Sequence, residues 1–266
     1  MTLIARNKIL SVLCVFSVLL LITLLAFFLI HVFKGISFPY PLDYTTLTIK
    51  SFILNSFTIF SVISLFFLCL FACVTSFIIR YSFEKTQSPE IIFFLGFLIS
   101  CLLEGFRLLI PILDLWNNYS KLIILIGKAA YTGRLIFISS FLLTAFVSRE
   151  NQNQDTERNL LIIILIALLF AEFLPINTGK TLPSIMPSIR FSSMFFIIFF
   201  VIGFITCVTL FLLNKKEIIL GYIFMVFGYF FLITCENFIQ CVLGIFFLSV
   251  GTFNYLKKMH NYYLWQ

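Results

Sequence analysis

Histidine and aspartate are scarce in this sequence. Its two histidines, His31 and His260, both lie near the ends of apolar runs. There is no HExxH motif and no Ser-His pair within an apolar run, which argues against a zinc metalloprotease and a His-activated serine protease. Haem ligation by paired histidines inside the membrane is excluded on the same ground. Asp43, Asp114 and Asp155 are the only aspartates, and all fall in loops. That removes an intramembrane aspartyl dyad and the Asp-rich magnesium motifs of membrane phosphotransferases and prenyltransferases.

Charge is scarce as well. Asp, Glu, Lys and Arg make up 11% of the 266 residues, against about 25% in an ordinary soluble domain. Apolar residues make up 61%, aromatics 18%, and phenylalanine alone supplies 37 positions. A soluble fold has no means of hiding that much apolar surface, so a soluble enzyme and a disordered chain are both excluded. The net charge of +7 reads as flanks that set orientation on an anionic membrane. No basic cluster interleaved with aromatics stands in a soluble segment, so nucleic acid is not expected as a partner.

The seven cysteines, Cys14, Cys69, Cys73, Cys101, Cys207, Cys235 and Cys241, lie in or at the ends of apolar segments. Cys69 and Cys73 share a helix face without further ligands, so the set reads as packing and no cofactor or metal is expected. Gly179-Lys180-Thr181 lacks the first glycine of a phosphate loop, because position 174 is Leu. Asn118-Tyr119-Ser120 matches a glycosylation sequon, a short and weak pattern.

What the sequence does contain is a series of spans. About 20 apolar residues cross a bilayer. The candidates are 9–33, 51–79, 91–110, 122–147, 160–176 and 191–213, followed by an apolar block from 218 to 255. That block would be roughly 57 Å as one helix, nearly twice the hydrocarbon thickness. Its only strongly polar break is Glu236-Asn237, with Gln240 just after, so it divides into 218–235 and 238–255. Arg6 and Lys8 precede the first run, which is too long for a signal peptide and has no cleavage site behind it.

Cation counts support eight spans with both termini cytoplasmic. Ten of the eighteen Lys and Arg flank the inner side and five the outer, with three inside spans. Seven spans would erase most of this bias. The expected architecture is therefore an all-α transmembrane bundle over residues 1–256, with a short tail at 257–266. Trp116 and Tyr119 outside, and Tyr255, Tyr262, Tyr263 and Trp265 inside, read as interfacial anchors. The outer loops 34–50 and 177–190 carry Pro39, Pro41, Pro183 and Pro187. The abundant phenylalanine reads as lipid-facing filler.

Ionisable groups inside spans are costly and so mark candidate sites. They are Glu104 and Arg107 in the third span, Lys128 and Arg134 in the fourth, and Glu172 in the fifth, with Glu236 at the last turn. Counting helical rise puts Glu104 and Lys128 at one level, about 9 Å below the outer surface. These two are expected to pair, with Arg107 sharing Glu104 one turn away. Arg134 falls about 18 Å deep, beyond the reach of any acid on the neighbouring span, with Tyr131 on its face. The residues expected to bind a ligand or form a charge network are Glu104, Arg107, Lys128, Tyr131, Arg134 and Glu172. They would line a vestibule open to the outside, with a cationic floor. The competing reading is a structural charge network, with Glu172 and Glu236 snorkelling to the interface.

With no catalytic set visible, a non-enzymatic sensory or ligand-binding protein is expected, in a bacterial cytoplasmic membrane. It would recognise an anionic solute or lipid head group from the outer side. Besides the bilayer, a protein partner is expected on the cytoplasmic loops. A small secondary transporter is the first alternative, weakened by the lack of an inverted repeat. A membrane enzyme acting on a lipid-linked substrate, with Glu104 or Glu172 as acid or base, is the second.

Overall fold

A computed structural model describes residues 3–34, 57–84, 90–117, 121–146, 156–189, 192–212 and 216–264. Its architecture is an all-α membrane bundle, with eight long helices among the described residues. They are α1 (Leu3–Lys34), α2 (Thr58–Ser82), α3 (Glu90–Gly105), α4 (Lys121–Phe146), α5 (Thr156–Glu172), α6 (Ser192–Leu212), α7 (Lys216–Ile233) and α8 (Phe238–Leu264). Six are long and apolar enough to cross a bilayer. The two shorter ones, α5 and α7, have 17 and 18 residues, at the lower limit of a span.

The division of the last apolar block is as expected, with Thr234–Asn237 forming the turn between α7 and α8. Two boundaries differ. Helix α8 runs on to Leu264, so most of the supposed tail at 257–266 is helical. Helix α5 stops at Glu172, and the segment expected to be a loop at 177–190 is largely a β-hairpin, β1 (Ile176–Leu182) and β2 (Met186–Ile189). Pro175 removes the N–H that a continuing helix would need. Residues 35–56, the sequon at 118–120, the inner loop 147–155, Trp265 and the side chains of Tyr262 and Tyr263 lie outside the described residues.

Helix α3 is the axis of the bundle. Its Glu90–Ile112 span is mostly buried inside the bundle, whereas little of the spans of α1 and α6 is buried. It packs on α1, α2, α4 and α5. In hydrocarbon there is little hydrophobic drive between helices, so close backbone approach has to come from small residues. A methyl group at Gly133 would lie 3.1 Å from the Ser100 carbonyl oxygen, where α4 crosses α3. At Gly228 it would lie 2.4 Å from the Leu248 backbone nitrogen, where α7 meets α8. Phenylalanine is more than lipid-facing filler: Phe93, Phe94, Phe97 and Phe137 are fully buried, and Phe137 stacks on Tyr229 with ring centroids 4.3 Å apart.

The two ends of the bundle differ. At one, the Arg6 guanidinium donates to the Phe83 and Glu84 carbonyls, and Phe83 stands edge-on to His260 at 5.4 Å. This terminal end therefore gathers the start of α1 with the ends of α2 and α8. At the other, the Phe57 N–H donates to the Glu236 carbonyl at 2.9 Å, and Ser61 Oγ reaches the Pro183 carbonyl at 2.9 Å. This hairpin end holds the candidate site residues.

Candidate charge site beneath the hairpin

Pro111 shapes the site. Lacking an N–H, it leaves the Arg107 carbonyl without its helical donor. One turn earlier the helix of α3 tightens into a 3₁₀ segment over Phe106–Leu108, followed by a short helical turn, Leu109–Ile112. Glu104 and Arg107 sit on either side of that change in pitch. Arg107 Nη1 donates to Glu104 Oε2 at 2.6 Å.

The second guanidinium comes from α4. Arg134 Nε donates to Glu104 Oε1 at 2.7 Å. One carboxylate thus holds two arginines, one on each oxygen, and the triad carries one surplus positive charge. Glu104 is 0% exposed, Arg107 1% and Arg134 2%. The Tyr131 ring lies under Arg134, 5.1 Å from guanidinium carbon to centroid, within cation–π range.

The hairpin closes the site. Its turn, Pro183-Ser184-Ile185, enters the bundle, and Ser184, Ile185, Met186 and Pro187 are all buried. Arg107 Nη2 donates to the Ser184 carbonyl, and Nε to the Ile185 carbonyl at 3.3 Å. Nη1 also reaches the Ile233 carbonyl at the end of α7, at 3.1 Å. A helix C-terminus carries partial negative charge, so this carbonyl suits a cation. All three Arg107 nitrogens are therefore satisfied. To present these carbonyls, Ile185 adopts φ 57, a conformation costing a β-branched residue about 1–3 kcal/mol. Met186 packs against Ala130 and Tyr131, which ties the hairpin to the α4 face bearing Arg134.

Arg134 is less well supplied. Among the described residues, its Nη1 and Nη2 donate to no acceptor.

Three expectations are corrected by this geometry. Glu104 does not pair with Lys128; Lys128 Nζ instead meets Glu172 Oε1 at 2.6 Å. Arg134 does not stand alone, because Glu104 reaches it. The charges do not line an open vestibule: the triad is enclosed, while Lys128 and Glu172 form a separate outer pair, 24% and 70% exposed. The cause of the first two is side-chain direction. Side chains in a helix lean toward its N-terminus. Helix α3 runs toward the hairpin end and α4 away from it, so Glu104 leans inward and Arg134 outward until they meet. Lys128, leaning outward, moves away from Glu104 and toward the end of α5.

Two partners were missed from sequence. The hairpin turn contributes main-chain carbonyls, which no particular residue letter announces. The α7 terminus contributes one more. Glu236, on the α7–α8 turn, stands beside the hairpin. Burial pushes its carboxyl up from the ordinary value, partly offset by a hydrogen bond from the Ser184 backbone. Among the described residues, no group of three or more metal-ligating side chains is found.

Compared with known proteins, the chain matches no family model, no curated protein and no solved structure.

Proposed function

We propose that this chain is a non-enzymatic, ligand-binding membrane protein that takes an anion at Arg134, beneath the hairpin. The carrying observation is the asymmetry between its two buried arginines. Arg107 spends every nitrogen on protein acceptors, whereas Arg134 spends only Nε and keeps two terminal nitrogens without an acceptor among the described residues. A guanidinium with terminal nitrogens to spare matches a carboxylate or phosphate oxygen. The surplus positive charge of the triad favours the same ligand class. The hairpin is the removable part of the enclosure, because it is the short connection between α5 and α6 and its carbonyls bind Arg107, not Arg134. We place the hairpin end on the outer side of a bacterial cytoplasmic membrane, following the cation bias of the loops. Transmission would pass to a protein partner at the terminal end.

The test is thermal unfolding of purified protein with a panel of small anions. A ligand at 100 times its Kd stabilises by about 2.7 kcal/mol. At least one carboxylate or phosphate should raise the midpoint of wild type and leave Arg134→Met unmoved. A panel that moves neither protein, or moves both equally, removes the proposal. Arg134→Met itself should fold, since methionine fills the space and leaves Glu104 paired with Arg107.

A further inference from the structure

A lateral groove runs between α2 and α8 near the terminal end, with a volume of about 470 Å³. Its walls include Phe71, Val74 and Ile78 from α2 and Phe253 and Leu256 from α8. It opens sideways: Val74, Ile78 and Phe253 are exposed on the face that meets hydrocarbon. Along α2 the lining runs from Phe67 to Phe83, about 24 Å of helix against roughly 30 Å of hydrocarbon.

The groove changes character along its length. The walls nearer the bundle centre are aliphatic and aromatic. At the terminal end stand Lys257, His260 and Ser82. Lys257 is exposed, its ammonium 5.8 Å from the Phe253 ring centroid. Two polar atoms on lining residues, Thr252 Oγ1 and His260 Nδ1, have no hydrogen-bond partner among the described residues. Of the carboxylates at this end, Glu84 is exposed and shares a second depression with Lys8 and Arg80, and Glu90 is buried in a separate pocket with Tyr255 and Met259; neither lines the groove.

We infer that this groove holds one anionic phospholipid. Its acyl chain lies along Phe71, Val74 and Ile78 against Phe253, and its phosphodiester rests beside Lys257 and His260. An apolar trough most of a bilayer long fits a hydrocarbon chain. A cation at one end only, level with the membrane surface, fits a phosphate and gives a zwitterionic lipid less to bind. The groove lies at the opposite end of the bundle from Arg134 and uses other helices, so either site stands without the other.

The test is thermal unfolding in neutral detergent with added phosphatidylglycerol, phosphatidylcholine of the same chains, or glycerol phosphate alone. Wild type should melt higher with phosphatidylglycerol than with phosphatidylcholine and should ignore glycerol phosphate. Lys257→Glu should abolish the preference between the two lipids. Val74→Trp, placed at an exposed position, should block the trough and abolish the response to both. Mass spectrometry of co-purified lipid should show the same loss of phosphatidylglycerol in both variants. Equal shifts with the two lipids in wild type would overturn the inference, as would a preference that survives Lys257→Glu. A shift with glycerol phosphate alone would assign Lys257 to free phosphate and overturn it too.

Discussion

Glu104 and Arg134 meet through Oε1 and Nε at 2.7 Å, although their positions along α3 and α4 suggest levels roughly 9 Å apart. Two long side chains leaning toward each other from antiparallel helices close that gap. The pair ties together the two most central helices, while Arg107 shares Glu104 through Nη1 and binds the hairpin through Nε and Nη2.

Among the described residues Glu104 is the carboxylate that bridges the two arginines, so its neutralisation is expected to be severe. Glu104→Gln preserves the shape and leaves two buried guanidiniums facing an amide. Removing one partner of a buried ion pair costs about 3–5 kcal/mol. The midpoint of denaturant-induced unfolding should fall accordingly, and Glu104→Gln with Arg134→Met should recover part of the loss. A double-mutant cycle with no coupling between the two positions would show that the contact is unimportant.

Much of this fold is legible in the sequence, because the bilayer imposes a length on every apolar run. The break at Glu236-Asn237 followed from the excess length of one block, and the candidate charges from the cost of burying them. The pairing was not legible. Counting residues from a span end locates a Cα, whereas a guanidinium sits several ångströms away in a direction set by helix polarity. The hairpin was not legible either. Residues 176–189 contain four polar residues between Ile176 and Leu182, and two prolines, so they read as loop. The buried turn at 184–187 meets Arg107, a partner some 77 residues earlier, through carbonyl groups common to every residue.

The helix contacts make a graded prediction at glycine. At Gly203 an added methyl group would meet its nearest neighbours at 3.9 Å, ordinary contact distance. Gly203→Ala should therefore be neutral or gain up to about 1 kcal/mol from helix propensity. At Gly228 the obstruction is the backbone of Leu248, which has no rotamer to change. Gly228→Ala should lower the melting midpoint clearly and loosen the α7–α8 pair. If the two variants melt alike, these helices do not pack as closely as described.

Lys128 and Glu172 form an ion pair as short as those of the triad, yet its expected contribution is far smaller. Glu172 is 70% exposed, and an exposed pair contributes about 0.2–1 kcal/mol. Lys128→Met should change stability by no more than that, and the change should shrink as salt rises. A loss as large as that of Glu104→Gln would mean that the pair is enclosed in the membrane-embedded protein and belongs to the site.

Glu236 supplies a pH dependence whose sign follows from its surroundings. Burial raises its carboxyl above the ordinary carboxylate value, and the Ser184 backbone hydrogen bond only partly offsets this. A raised value means that the folded protein holds the proton more tightly than the unfolded chain. The associated stability is therefore fully present below the unfolded value, and it falls as pH rises through the folded one. Glu236→Gln cannot ionise and should lack this decline. Melting midpoints measured from about pH 4 to about pH 8, a range starting near the ordinary glutamate value, should show the variant gaining on wild type as pH rises. At neutral pH the variant should be the more stable of the two, because an ionised carboxylate no longer has to be held against the hairpin. Parallel curves across the range would mean that Glu236 is as well solvated in the folded protein as in the unfolded chain.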